Sequence, residues 1–144
     1  MATPQDAELI LKLYEIRTEP VLREARKFVG SFNPATFDEL AALQRDGGSQ
    51  NNAYWRQTLS YWDMAGAMVM RGAIDSDLFL DCNGENLFYY AKFSPFHQQY
   101  RETFGQPFMR QTAALIEKFP AYKARYEATV ARMEAGRKRA ASQG

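Results

Sequence analysis

The stretch Asn51-Asn-Ala-Tyr-Trp-Arg-Gln-Thr-Leu-Ser-Tyr-Trp-Asp-Met-Ala-Gly-Ala-Met-Val-Met-Arg71 decides the fold. Trp55, Leu59, Trp62, Gly66, Val69 and then Ala73 recur at alternating steps of four and three, and Tyr54, Tyr61, Ala65 and Met68 run beside them. At about 100° per residue the two rows merge into an apolar arc of roughly 200°, wider than the stripe of an ordinary surface helix. A helix apolar over so much of its circumference needs neighbours on several sides. The segment from about Asn51 to Arg71 is therefore expected to be the central helix of an all-α, single-domain, multi-helix bundle with no sheet.

The flanking sequence carries helix punctuation and almost no strand signal. Thr3, Pro4 and Asp6 form an N-cap, N1 and N3 set for a helix with Leu9, Ile10, Leu13 and Ile16 on its core side. Thr18 and Pro20 open either a second helix or a kinked continuation of the first, ending near Gly30. Thr36-Phe-Asp-Glu39 caps a short helix, and Asp46-Gly-Gly-Ser49 closes it. After the central helix, Asp75 caps one or two turns that stop at Asn83-Gly84. A helix through Leu87 and Tyr90 is kinked or restarted at Ser94-Pro95 and ends at Gly105; the next is expected to begin at Gln106-Pro107. Pro120 breaks that one and starts the last, which carries Tyr122, Tyr126, Val130 and Met133. One domain over residues 1–136 is expected, with 137–144 as a basic, frayed tail.

Composition limits the function classes. With 144 residues, 46% hydrophobic and 24% charged, the chain can bury a core without disulfides or a structural metal. The single cysteine, Cys82, has no partner for an internal disulfide, and the first residues lack the basic and apolar regions of a signal peptide. A reducing cytoplasm is the expected compartment. Leu59 to Met70 is too short to span a bilayer and contains Asp63, so no membrane insertion is expected. Net charge is +1. Asp75, Asp77, Asp81 and Glu85 form an acidic patch, while Arg137-Lys138-Arg139 is too short a basic cluster to indicate nucleic-acid binding.

The segments Tyr61-Trp-Asp-Met-Ala65, Arg71-Gly-Ala-Ile-Asp75 and Phe79-Leu-Asp81, followed by Pro95, Arg101 and Pro107, resemble an uncharacterised bacterial helical family described only as a domain of unknown function. Leu13-Tyr-Glu-Ile-Arg17, Ala25-Arg26 and Phe32-Asn-Pro34 are similar to the same proteins. The resemblance implies an α-helical fold and transfers no catalytic residue.

Chemistry-bearing motifs are few. Asp81-Cys-Asn83-Gly84 overlaps an EF-hand loop, but Phe79 and Tyr90 would stand at the first and twelfth positions, where calcium needs oxygen ligands. Cys82 and His97 are the only members of their types, so zinc-finger spacing is impossible and neither a metal nor a cofactor is expected. Cys82 is expected to be a small buried hydrophobe, and His97 a surface or half-buried residue beside core methionines. No catalytic constellation is readable. The residue that draws attention is Asp63, at the margin of the apolar arc on nearly the same meridian as Arg56. A carboxylate there needs a partner, and Arg101 or Arg110 could supply a bidentate fork. Two function classes follow. The preferred one is a non-enzymatic interaction or scaffold domain, with a homodimer or another protein as partner. The alternative is a small-molecule-binding bundle or weak enzyme, its polar site formed by Asp63, Tyr54, Tyr61 and Arg101 or Arg110.

Overall fold

The computed structural model describes residues 1–143, and among these it is all helix, with no strand. In chain order come α1 (Pro4–Arg17), α2 (Pro20–Ser31), α3 (Phe37–Arg45), α4 (Gln50–Met70), α5 (Ser76–Cys82) and α6 (Glu85–Lys92). A 3-10 turn (Ser94–Phe96) leads into α7 (His97–Phe104), then α8 (Arg110–Lys118) and α9 (Pro120–Gln143). The first two helices are separate: Thr18 ends α1, and the Glu19 carboxylate accepts from Leu22 N at 2.9 Å to open α2.

Local caps set most boundaries. Thr3 and Asp6 form a reciprocal capping box, with Thr3 N donating to Asp6 Oδ2 at 2.7 Å and Asp6 N to Thr3 Oγ1 at 3.2 Å. Thr36, Ser49 and Asp75 cap α3, α4 and α5 through their own side chains. Gly105 takes a φ of +75° at the end of α7, which releases the chain without the Cβ clash of other residues. One boundary differs from expectation. α8 starts at Arg110 rather than Gln106, because residues 106–109 form a turn in which Met109 adopts φ 47°. α9 continues through Gly136 to Gln143, with Arg137, Lys138 and Arg139 exposed. Gly144, the last residue of the basic tail, lies outside the described residues.

α4 is the central element. α2 packs along one side, α8 along another, α3 and α5 touch its ends, and α9 lies across α6 and α8. Trp55 is fully buried, with its ring centroid 5.3 Å from Phe93, 5.8 Å from Phe32 and 5.8 Å from Phe108. Edge-to-face and offset contacts of this kind add to the area that the rings bury. About two turns further on, Trp62 packs on Tyr61 and Phe79. The high aromatic content is therefore largely spent in the core.

Gly66 is where α8 crosses most closely. A Cβ there would stand 3.0 Å from Gln111 Cβ and 3.5 Å from Leu115 Cδ1. Gly66→Leu should push the two helices apart and cost about 1 to 3 kcal/mol. Urea unfolding reads the loss; a mutant as stable as the parent would show that the crossing yields without cost.

Candidate cleft over the central helix

Arg56, Ser60 and Asp63 follow one another at steps of four and three and so share one meridian of α4. That meridian borders an open cavity of about 610 Å³. Tyr100 of α7, the Gln106–Pro107 turn, Met109 and Arg110 form the facing wall, and Gln44 of α3 closes one end. Trp55 and Leu59 contribute apolar lining.

Each polar wall residue is held differently. Trp55 Nε1 donates to Gln44 Oε1 at 2.6 Å, which fixes that amide at the edge of the cleft. Arg56 donates from Nε to Asn52 Oδ1 at 2.6 Å, and the buried Asn52 in turn donates to the carbonyls of Leu43 and Gln44 at the end of α3. This chain of bonds leaves both terminal nitrogens of Arg56 without a protein partner among the described residues. Arg110 makes no hydrogen bond or ion pair among them either. Burial raises the Tyr100 phenol, which stays protonated at neutral pH.

Asp63 has a partner that the sequence reading did not consider. Its Oδ1 accepts from the backbone N–H of Gln111 at 3.0 Å. The expected fork with Arg101 or Arg110 does not form, for Asp63 has no ion pair within 4 Å among the described residues. Met109, the residue before α8, has no side chain able to cap it, and the carboxylate of α4 does so from across the interface, where the helix dipole also favours it. Asp63 Oδ2 has no hydrogen-bond partner among the described residues, and Asp63 lines the cleft.

Of the other expected site residues, only Arg110 lines this cavity. Tyr54 and Tyr61 lie about 180° and 200° around the helix from Asp63, by their offsets of nine and two residues. They accordingly face other helices: Tyr54 packs on Phe28, and Tyr61 donates its hydroxyl to the carbonyl of Leu13. Arg101 is exposed on α7, next to Tyr100, which turns inward. Tyr100 is thus the phenol of the cleft, and the reading of α4 alone missed it because it comes from another helix.

A second polar cluster was also missed. Arg26 of α2 and Glu85 of α6 form a bidentate pair, Nε to Oε1 at 2.8 Å and Nη2 to Oε2 at 2.6 Å. Trp62 Nε1 donates to the same carboxylate at 3.1 Å, and Tyr89 donates its hydroxyl to the Arg26 carbonyl at 3.0 Å. Glu85 therefore points inward, away from the acidic patch to which its sequence position assigned it. Burial pushes its carboxyl up, but the Arg26 bonds and charge together with the indole N–H outweigh this and hold it below the ordinary range. The cluster ties α2, α4 and α6 together.

Cys82 is exposed rather than buried, since the end of α5 leaves it on the outer side. His97 is half-buried, with its ring against Tyr90, 4.1 Å between centroids, and Phe108 at 5.8 Å. No group of three His, Cys, Asp or Glu side chains converges as a metal site among the described residues. No helix among them is long and apolar enough to cross a membrane.

Neither a curated protein nor a solved structure matches the chain. Residues 2–119, from α1 to the end of α8, match the family described as Domain of unknown function (DUF4760), and the chain belongs to that family.

Proposed function

We propose that this domain binds a small zwitterionic molecule, such as an amino acid or a short peptide, in the cleft over α4. The observation that carries this reading is the convergence of Arg56, Arg110 and the free oxygen of Asp63 around one 610 Å³ cavity. Two guanidinium groups with free donors suit a carboxylate, and a carboxylate oxygen suits an ammonium. Trp55 and Leu59 add apolar surface for the body of the ligand, in the usual balance of a small-molecule site. Binding rather than catalysis is proposed because no nucleophile there is hydrogen-bonded to a base: the Ser60 hydroxyl donates to the carbonyl of Gln57 instead of to Asp63. A reducing cytoplasm is proposed on the exposed, unpaired thiol of Cys82.

Calorimetry with a panel of dipeptides tests the reading. Saturable binding should weaken about tenfold in Arg110→Gln, since that side chain has no structural partner to lose. Asp63→Asn keeps an acceptor for the Gln111 N–H, so it should cost about 1 kcal/mol of stability or less while reducing affinity for the ammonium end. Absence of saturable binding at millimolar dipeptide, or affinity untouched by both substitutions, rejects the proposal.

An interaction domain is the second reading. It is favoured by the exposed Leu11, Tyr14, Ile16 and Val21 of α1 and the start of α2. A homodimer is the simplest form of it, and native mass spectrometry decides, because a monomer at micromolar concentration removes the homodimer.

A further inference from the structure

A smaller cavity of about 360 Å³ lies on another part of the molecule, where the loop after α2, the 3-10 turn and the far half of α9 meet. Its walls are mostly apolar, from Pro34, Phe93, Pro95 and Phe96, with the amide of Asn33 among them, and its charged residues are Lys92 and Arg137. No carboxylate lines it. We propose that this cavity is a second binding site, for a small organic carboxylate with an aromatic or otherwise apolar body.

Lys92 is built into the site. Its Nζ donates to the carbonyls of Val29 and Gly30 at 2.9 and 2.7 Å, closing the C-terminal end of α2. An ammonium has three donors, so one is left for a ligand. Partial burial lowers this group to about 8, with no acid beside it in the cavity to compensate. An anion would supply the missing partner. Arg137 enters the lining from α9, and its side chain makes no hydrogen bond or ion pair among the described residues, which leaves its planar fork for the carboxylate. The ring of Phe96 and the two prolines then meet the apolar part. Both charges are positive here, whereas the cleft over α4 also carries a carboxylate, so the two sites should select differently. Arg137 also lies beyond residues 2–119, the part of the chain that matches the family.

The probe is indole-3-acetate, with its neutral amide indole-3-acetamide as control, titrated into the full chain by calorimetry and followed by amide chemical shifts around residues 92–96. Indole-3-acetate should bind saturably and at least about tenfold more tightly than the amide, the worth of one charge-assisted contact. Arg137→Gln should weaken it by a similar factor without loss of melting temperature, because the side chain touches nothing structural; Arg110→Gln should leave it unchanged. Lack of saturation at millimolar indole-3-acetate, equal affinity for acid and amide, or indifference to Arg137→Gln would each overturn the proposal. So would a loss caused by Arg110→Gln instead, which would place the probe in the other cleft.

Discussion

Glu85→Ala should destabilise the domain by about 3 kcal/mol and lower its melting temperature by about 10 °C. The substitution removes both acceptors of the Arg26 fork and the only hydrogen-bond partner of Trp62 Nε1 among the described residues. Trp62 is 1% exposed, so its orphaned N–H gains no water, and the guanidinium left behind is drawn into the space between α2 and α6. The side chains of Arg26 and Glu85 are 22% and 20% exposed, which keeps the expected loss at the lower end of the range for a buried pair. Glu85→Gln should cost less, since its amide oxygen can still accept from the indole. A double-mutant cycle with Arg26→Ala isolates the pair: a coupling of about 2 kcal/mol is expected. A loss under about 1 kcal/mol for Glu85→Ala, with additive energies, would reduce the pair to a surface contact of little consequence.

This pair also marks where sequence reasoning stops. Arg26 and Glu85 are 59 residues apart, on helices whose mutual approach no local signal records. The helices themselves were legible because their determinants are local: Thr3 with Asp6, Thr36, and Asp75 are each caps within three residues of the N–H they satisfy. The central position of α4 was legible too, since an apolar arc broader than a surface stripe can only be buried from several sides. α8 shows the opposite case. Its cap is Asp63, 48 residues earlier, so the sequence suggested a start at the local Gln106-Pro107 signal instead. The cleft was half legible. Asp63 and Arg110 belong to it, whereas Tyr54 and Tyr61 could have been set aside from helical geometry alone, as they stand on the far side of the same helix. Tyr100 required knowledge of where α7 is placed beside the cleft, which depends on the left-handed turn at Gly105 and on packing against Phe104 and Phe108.

Acid should weaken the fold through His97, the only histidine. The imidazole packs against both Tyr90 and Phe108, its Nε2 is buried without a partner among the described residues, and desolvation lowers it to about 4 against a smaller opposing pull from the backbone of Tyr90. An unfolded chain returns it to its ordinary value of about 6.5. Between these two values the unfolded state holds a proton that the folded state refuses. Stability contributed by the neutral ring is therefore complete above pH 6.5 and is lost as pH falls toward 4, amounting to about 2 kcal/mol at pH 5 and about 3 kcal/mol once both states are protonated. Carboxylates such as Glu85 lose stability in the same direction, so the measurement has to be a difference. His97→Phe keeps an aromatic ring in the same nest and cannot titrate; denaturant unfolding of parent and variant at pH 7.5 and 5 should show the parent losing about 2 kcal/mol more. Parallel losses in the two proteins would mean that His97 accepts its proton in the folded state, and that water or a shift of α7 reaches the ring that Tyr90 and Phe108 cover.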